Sequence, residues 1–436
     1  MRFAGLLLLV IVNQVSAQVG FAPAANYPLY AQPSAVAAAD VNADGMADLI
    51  SVNASIGTLT VLTNNGNGGF GSNATYTVGI KPVWVTAVDL NGDGKVDLVS
   101  ANAGTGANNS SLAVLTNDGL GNFVLSSVQT AVGSRSYAVV VADVNGDAKL
   151  DLISANALTP NGTFLIFTNN GTGGFAFASS PAAGKDPLSL VAADVNGDNW
   201  VDLISANYDG HNLAVLTNDG SGNFTLASLP NVGALPISIV AADVNGDGQP
   251  DLISANSAPA GGNSLSVLIN NGSGNFAPAT NYPVGSNPCA VLAADMNGDG
   301  KIDLISANFV DSTFSVLTNN GSGSFALALS SPTGASPRGA VATDINGDGR
   351  ADLISANFFG ASLSVLIDIP TLSIKNSGDS VVVSWPAAWT NWTLLQNTNP
   401  AMPNWSASGG VDNDGTNNSL TLPRPADSLY FRLSGP

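Results

Sequence analysis

The stretch Asp295-Met-Asn-Gly-Asp-Gly-Lys-Ile-Asp303 decides the fold of this chain, because nine-residue segments of the same pattern occur seven times. Side chains with oxygen atoms stand at positions 1, 3, 5 and 9, and position 6 is glycine in the copy quoted. This spacing is typical of a loop folded around a hard cation. Calcium fits best, because it accepts about six to eight oxygen ligands at loose geometry. The sequence therefore predicts about seven bound Ca²⁺ ions, one in each copy.

Each copy offers enough oxygen atoms for a calcium shell. Three carboxylates, one Asn carbonyl, the backbone carbonyl of position 7 (Lys301 in the copy quoted) and water can fill it. The predicted side-chain ligands are, copy by copy, Asp40, Asn42, Asp44 and Asp48; Asp89, Asn91, Asp93 and Asp97; Asp143, Asn145, Asp147 and Asp151; Asp194, Asn196, Asp198 and Asp202; Asp243, Asn245, Asp247 and Asp251; Asp295, Asn297, Asp299 and Asp303; Asp344, Asn346, Asp348 and Asp352.

The distribution of acidic residues supports this prediction. All 31 acidic residues are Asp, and 21 of them occupy the seven loops. A single copy could be an ordinary turn rich in Asp and Asn, but the copies recur at a period near 50 residues. Without a cation, three neighbouring carboxylates repel one another, which raises a pKa or opens the loop. The pattern therefore indicates a metal site rather than a turn.

The residues around the loops exclude one calcium fold and indicate another. An EF-hand needs Glu at position 12 and a helix on each side, whereas position 12 is Ser in every copy, namely Ser51, Ser100, Ser154, Ser205, Ser254, Ser306 and Ser355. Short apolar stretches such as 291–294 and 304–307 flank the loops and are typical of β-strands. We expect each cation to hold a β-hairpin together.

The first residues predict export. Met1-Arg2, the apolar run from Ala4 to Val12 and the small residues Val15-Ser16-Ala17 form the pattern of a secretory signal peptide over residues 1–17. A buried first strand is the alternative. No later run of eighteen apolar residues exists, so no transmembrane segment is expected. The predicted location is secreted or at the cell surface.

Composition narrows the fold class and the partners. The chain has 48 Gly and no Glu, which argues against helices and for an all-β protein. A formal charge of −19 makes nucleic acid or an anionic membrane an unsuitable partner. Cys289 is the only cysteine, so no intramolecular disulfide can form. It aligns with Val83, Leu188 and Ile237 of other repeats, which predicts a packed thiol rather than a nucleophile.

The repeats have the form of propeller blades. Each contains four strand-like segments, which we name a, b, c and d, with the Asp-rich loop between a and b. Four antiparallel strands in about 50 residues indicate a β-propeller blade, and seven units suit a closed ring. Segment a contains small residues, such as Ala37-Ala-Ala39 and Ala293-Ala294. They favour segment a as the innermost strand, where the blades crowd around the axis. The last repeat lacks segment d, but 20–28 parallels 275–283 almost letter for letter, so the N-terminal strand should complete the seventh blade.

Phe276-Ala-Pro-Ala together with the Asp-rich loops resembles the FG-GAP or VCBS repeat over residues 18–369. That family builds the seven-bladed propeller of integrin α subunits and of many secreted bacterial proteins. The resemblance implies calcium in the loop between the first two strands of each blade, with the ligands named above. Members of the family adhere, bind sugars or flank enzymes, so the fold implies no single function.

Two copies depart from glycine at position 6, where we expect a backbone with positive φ. Asn199 tolerates that conformation, whereas Ala148 should be strained by about 1 kcal/mol. The third site is therefore expected to bind calcium most weakly.

The repeat stops before residue 370, and 370–436 predict a small C-terminal β-sandwich. Five short apolar stretches there are typical of strands, at 372–375, 381–385, 393–396, 420–422 and 429–433. Four of the six Trp lie in this region. Core packing is favoured for Trp385 and Trp392, and a sugar-stacking role is the alternative for Trp389 and Trp405.

No pattern predicts a catalytic site. His211 is the only histidine, no Gly-x-Ser-x-Gly occurs, and no Glu is present to pair with Asp. The b–c and d–a loops vary most between repeats, and variable loops on a rigid scaffold usually carry recognition. We therefore expect a monomeric, non-enzymatic binding or adhesion module for an extracellular protein or glycan. A carbohydrate-binding, lectin-like propeller is the first alternative, and a polysaccharide lyase or hydrolase is the second.

Overall fold

The computed structural model describes residues 19–66, 68–106, 109–130, 135–157, 161–258, 262–370, 372–377, 379–386, 392–398, 404–414, 417–423 and 429–434. These residues form β-strands and turns. Among them, no helix has the length and hydrophobicity needed to cross a bilayer. The expected all-β class is confirmed, while the predicted signal peptide lies outside the described residues.

The chain divides into two compact units. One comprises Phe21–Met296 and Gly300–Ile369, and the other contains Asn297–Asp299 and Pro370–Pro436. The described strands of the first unit form seven antiparallel sheets, which we name blades 1 to 7. Their strands a, b, c and d are Pro33–Ala39, Asp48–Asn53, Thr58–Asn64 and Phe70–Thr77 in blade 1; Pro82–Val88, Asp97–Asn102, Ser111–Asn117 and Phe123–Thr130 in blade 2; Ser136–Ala142, Asp151–Asn156, Gly162–Asn169 and Phe175–Ser179 in blade 3, where Ala182–Gly184 also pairs with strand c; Pro187–Ala193, Asp202–Asn207, Asn212–Asn218 and Phe224–Ser228 in blade 4; Pro236–Ala242, Asp251–Asn256, Ser264–Leu268 and Thr280–Pro283 in blade 5; Pro288–Ala294, Asp303–Asn308, Thr313–Asn319 and Phe325–Pro332 in blade 6; Pro337–Thr343, Asp352–Asn357, Ser362–Leu366 and Ala25–Pro28 in blade 7.

Strand a of each blade contacts strand a of the next, and strand a of blade 7 contacts that of blade 1. The sheets therefore close into a seven-bladed β-propeller, as predicted. Strand b explains the packing, because alternate residues of a strand point to opposite faces. In blade 5, Leu252 packs with Ile204 of blade 4, whereas Ile253 packs with Leu304 of blade 6. The repeated Leu-Ile pair thus fills both interfaces of a blade.

The N-terminal strand closes the ring, as the sequence predicted. Ala25–Pro28 pairs antiparallel with strand c of blade 7, in a register that runs from Ala25 opposite Val365 to Pro28 opposite Ser362. The Tyr27 hydroxyl also donates a 2.9 Å hydrogen bond to the carbonyl of Gly68 in blade 1. Its ring meets Phe70 edge-on at 5.3 Å. Strand d of blade 7 therefore holds both blades that meet at the closure.

The described C-terminal strands form two sheets. Asp412–Asn413, Asn417–Pro423, Ser380–Pro386 and Ser373–Ser377 make one, and Ser406–Ala407, Thr393–Asn397 and Tyr430–Ser434 make the other. Their shared core contains Val383, Trp385, Leu394 and Leu420, and Trp392 packs against it. The predicted β-sandwich and the core role of Trp385 and Trp392 are confirmed. The two-residue strands were not predicted, and Trp389 lies outside the described residues.

Tyr27→Phe should lower the free energy of unfolding by about 1 kcal/mol, because it removes the hydrogen bond to Gly68 and keeps the ring packing. Tyr30→Phe is the matched control, since Tyr30 is fully exposed three residues later. Urea unfolding of both variants measures the difference. Equal stabilities would show that the hydroxyl contributes nothing to ring closure.

Candidate functional site

The seven Asp-rich loops, which we name loops 1 to 7, lie at the same place in every blade. Each starts directly after strand a and ends with the first residue of strand b, as Asp243 and Asp251 do in blade 5. This is the position that the family resemblance implied. All seven loops therefore share one end of the ring of strands, and the b–c and d–a loops share the other.

Backbone N–H groups orient the side chains at positions 1, 3 and 5. In loop 5, one oxygen of Asp243 accepts from the N–H groups of Gly246 (2.7 Å) and Asp247 (3.2 Å). The other accepts from Gly248 at 2.8 Å. The side-chain carbonyl of Asn245 accepts the N–H of Asp247 at 2.9 Å. The Asp247 carboxylate accepts the N–H of residue 249, also at 2.9 Å. The loop thus presents its three oxygen-bearing side chains in fixed directions.

The carboxylate at position 9 is completely buried. In loop 5, Asp251 accepts the N–H of Val244 at 3.0 Å and the N–H of Asn270 at 2.7 Å. Burial raises the pKa of this carboxyl, the two N–H bonds lower it, and the charges of Asp247 and Asp243 raise it further. The same causes raise the pKa of Asp202 to about 6 and that of Asp352 to about 7. Position 9 therefore carries a charge that its surroundings oppose.

The donor atoms fit calcium, since each loop combines hard carboxylate and amide oxygens. A carboxylate oxygen has about two lone-pair sites that can accept a bond. Several side-chain oxygens of the loops accept only one N–H bond, so each retains a site that can bind a cation. Within the part of the chain that the structure describes, however, no three carboxylate, imidazole or thiol groups converge closely enough to hold a metal ion. The calcium ions and their ligands therefore stay a prediction.

Positive φ occurs at two positions of the loops, not one. Ala148 (φ 62°) and Asn199 (φ 69°) confirm the backbone predicted for position 6. Position 4 was missed: Ala43 has φ 61° there, and the other six copies have glycine. The signal was present in that glycine, whose role at position 4 was overlooked. Loop 1 is therefore strained in the same way as loop 3.

A side-chain hydrogen bond ties each loop to the neighbouring blade. The Asn270 amide, two residues after strand c in blade 5, donates to the Pro250 carbonyl of its own loop at 3.1 Å. It also donates to the Val195 carbonyl of loop 4 at 2.8 Å. The equivalent residues make the same pair of bonds, and with Asn270 we name them the joint Asn residues: Asn64, Asn117, Asn169, Asn218 and Asn319.

Blade 7 makes this joint with different residues. Asp368 replaces the joint Asn, and its ionised carboxylate has no proton to donate, but the Nε of Arg350 donates to it at 2.8 Å. The guanidinium group also donates to the Met296 carbonyl in blade 6 at 3.4 Å. Burial raises the pKa of Asp368 to about 7 although the hydrogen bond and charge of Arg350 lower it. The Arg–Asp pair thus takes over the amide's role.

The opposite end of the ring has unlike side chains at its centre. Strand a of every blade has a β-bulge after its first residue, and a bulge redirects a side chain. The second residues of these strands line a central cavity of about 480 Å³ and are Ser34, Val83, Tyr137, Leu188, Ile237, Cys289 and Arg338. Six are uncharged and one is cationic.

Cys289 and His211 both lie at this end of the ring. The Cys289 thiol is half-buried and lines the central cavity. The sequence predicted a thiol packed in the core. The position differs because the β-bulge turns this side chain toward the axis of the ring. Burial raises its pKa to about 11, so it is a poor nucleophile. The Nδ1 of His211 accepts the N–H of Leu235 at 3.0 Å. This bond joins two loops.

Comparison with protein families matches the FG-GAP-like repeat to residues 40–100, 89–154, 149–205, 194–254, 243–306 and 295–355. The chain belongs to the FG-GAP-like repeat family. This confirms the resemblance inferred from the loops, and each matched segment contains strands of two consecutive blades. A comparison with curated proteins found no match.

Solved structures share the FG-GAP propeller's fold at low sequence identity. The chain is similar to BBS1N in a complex with ARL6DN, at 12% identity and a TM-score of 0.56 over 80% of this chain and 96% of that one. It is also similar to virginiamycin B lyase from Staphylococcus aureus, at 14% identity and a TM-score of 0.54 over 80% of this chain and 100% of that one. A functionally unknown protein from Desulfotomaculum acetoxidans is similar at 13% identity and a TM-score of 0.50, over 78% of this chain and 89% of that one.

Asn270→Asp should destabilise the propeller by about 3 kcal/mol, because a buried carboxylate then faces two carbonyl oxygens. Asn271→Asp is the control and should change stability by less than about 0.5 kcal/mol, since blades 2 and 4 already have Asp118 and Asp219 at that position. Adding Gln249→Arg to Asn270→Asp copies the pair of blade 7 and should restore more than half of the loss. Urea unfolding measures all three variants. No rescue would contradict the equivalence of the two joints.

Ala43→Gly and Ala148→Gly should each raise the free energy of unfolding by about 1 kcal/mol by relieving the left-handed backbone. Gly94→Ala, in a loop where an added Cβ meets nothing within 4 Å, should lower it by a similar amount. Chemical unfolding in EDTA separates strain from metal binding. If Gly94→Ala changes the free energy of unfolding in the same direction as the two Ala→Gly variants, the assigned backbone strain is wrong.

Proposed function

We propose that this FG-GAP propeller is an exported, calcium-stabilised, non-enzymatic binding or adhesion module for an extracellular protein or glycan. The difference between its two ends carries the proposal. One end repeats the same loop in every blade, and six of the seven blades tie that loop to the preceding blade through a joint Asn. The other places seven unlike side chains around one cavity. A regular end suits a structural role, and varied loops on a rigid scaffold suit recognition.

Calcium would act in the loops by neutralising their charge. The position 1, 3, 5 and 9 side chains of each loop would hold the ion, and its chemistry there would be electrostatic. The raised pKa of the position 9 carboxyl in loops 1 to 5 and 7 supports this role, because burial and the two neighbouring carboxylates disfavour its charge. A divalent cation would remove that repulsion and favour the ionised form.

Two relatives in fold favour different functions. FG-GAP propellers often mediate binding, and BBS1N was solved with a partner protein. Virginiamycin B lyase has the same fold with a lyase activity. A lectin-like propeller and a polysaccharide lyase or hydrolase therefore remain the alternatives that an experiment must separate.

The full chain should be screened in calcium buffer against arrays of extracellular proteins and glycans, together with an assay of polysaccharide turnover. Tyr137→Ala at the cavity should weaken the binding found, and Gln249→Ala at loop 5 should leave it unchanged. No binding on either array would contradict the proposal. Turnover of a polysaccharide would favour the enzyme instead.

EDTA at pH 7 should lower the melting temperature by tens of degrees, because extracellular calcium sites contribute about 1 to 2 kcal/mol each at millimolar calcium. Asp247→Ala should cost only a fraction of that loss, because six loops remain. A melting temperature that excess EDTA leaves unchanged would show that blade packing alone holds the ring.

The pH dependence of stability should reverse with calcium. In EDTA, burial raises the folded-state pKa of Asp202 to about 6 and of Asp352 to about 7, against 3.8 ordinarily. The folded protein then binds more protons than the unfolded chain, so its stability falls as pH rises through this range. With calcium, the carboxylates must be ionised, so stability falls on acidification. Thermal melts from pH 4 to 8 measure both slopes, and equal slopes would contradict calcium binding by these residues.

A further inference from the structure

A second cavity, of about 500 Å³, lies at the end of the ring opposite loops 1 to 7, where blades 7, 1 and 2 meet. We name it the cationic cavity. Its walls include Ile56, Ile80 and Phe358, with Lys81 and Arg338 among them. This volume is within the range of about 300 to 1,000 Å³ for ligand sites. The cavity therefore combines apolar walls with two positive charges.

Backbone contacts fix the main chain at both basic residues. Lys81 has φ 54°, and its carbonyl accepts the N–H of Ala103 at 2.9 Å. Arg338 stands at the bulge of strand a in blade 7, and a Cβ on the next residue, Gly339, would lie 2.7 Å from the Cα of Ala35 in blade 1. Blades 7 and 1 are therefore packed closely at this point. Lys81 thus lies in a d–a loop that is bonded to blade 2, and Arg338 lies in a strand.

The cations of the cationic cavity differ from other basic residues of the propeller. Lys95, Lys149 and Arg350 form ion pairs with Asp93, Asp147 and Asp368. Among the described residues, no carboxylate forms an ion pair with Lys81 or Arg338. The guanidinium of Arg338 instead lies 5.2 Å from the centre of the Phe358 ring. Its planar edge therefore remains available for a bidentate carboxylate.

Apolar surface continues from the cavity across blades 7 and 6. The Phe358 and Phe359 rings are 5.2 Å apart, and Phe359 lies 5.7 Å from Phe309. Phe359 is 65% exposed and Val310 is 63% exposed. Ile56 and Ile80 are about half exposed at the cavity itself. A ligand in the cavity thus has an adjoining apolar strip to cover.

We propose that the cationic cavity and its apolar strip bind an extended acidic peptide segment of a partner protein, in which Asp or Glu adjoins aliphatic or aromatic residues. This inference rests on the proposed binding function and names the partner's chemistry. The carboxylate meets Arg338 and Lys81, and the neighbouring apolar residue lies between Ile56, Ile80 and Phe358. Aliphatic walls favour a peptide over a sugar, whose hydroxyl groups need several fixed hydrogen-bond partners.

Fluorescence anisotropy of the full chain in calcium buffer tests the proposal with three labelled peptides. The first probe is fluorescein-Gly-Asp-Phe-Asp-Leu-Gly-amide, the second has Asn for both Asp, and the third has Gly for Phe and Leu. We expect binding of the first alone, weakened at high salt because its charges are screened. Oligogalacturonate serves as the carboxylated glycan.

Arg338→Gln and Lys81→Gln should each weaken binding of the first peptide by about tenfold, since each removes one charge contact. Lys185→Gln is the matched control, because Lys185 is an exposed cation of another d–a loop outside the cavity. Arg338→Lys keeps the charge but not the bidentate geometry, and should fall between Arg338→Gln and the native protein. Melting temperatures confirm that each variant is folded.

Several results would overturn the proposal. They are equal binding of the Asp and Asn peptides, binding of oligogalacturonate in place of the peptides, and full affinity in a folded Arg338→Gln, Lys81→Gln double variant. Failure of the proposed function looks different, because then the native protein binds nothing on either array. A ligand from the arrays that the double variant still binds would refute this cavity and leave the binding function standing.

Discussion

A buried carboxylate at the start of strand b holds each part of the propeller to the next. Asp251 accepts the N–H that follows strand a and the N–H at the end of strand c, so one side chain fixes three strands of its blade. Asn270, whose N–H it accepts, reaches the preceding loop. Loop, blade and neighbour are therefore connected through one buried charge. Because burial raises the pKa of that carboxyl, the arrangement needs compensation, which the N–H bonds supply in part and calcium is proposed to complete.

The closure of the ring shows what the joint requires. Blade 7 takes its last strand from the N-terminus and has Asp368 where other blades have Asn. An amide can donate to two carbonyls, whereas a carboxylate cannot, and Arg350 supplies the missing donor. The function of the joint is thus preserved while its chemistry changes. Tyr27 adds a second contact across the same closure through Gly68.

Local patterns predicted the features that repeat, and missed those that depend on distant contacts. The repeat period, the short apolar stretches beside the loops, the small residues of strand a and the match of 20–28 to 275–283 sufficed for the blades and their closure. Positive φ at Ala148 followed from glycine in the other copies, and Ala43 was missed only because the same reasoning was not applied to position 4. The joint Asn residues bond to carbonyls about 75 residues away, which no local pattern shows. The cationic cavity depends on how loops of three blades converge. The place of Cys289 in the wall of the central cavity depends on a β-bulge.

The Asp-rich loops repeat from blade to blade while the opposite end of the ring varies, and calcium is the ion proposed to unite the seven loops. Calorimetric titration of calcium into the metal-free protein is the most direct test. Seven loops predict close to seven Ca²⁺ per chain, or five to six if the strained loops of Ala148 and Ala43 stay empty. A stoichiometry of two or fewer would contradict the assignment and leave the loops as turns held by their own hydrogen bonds.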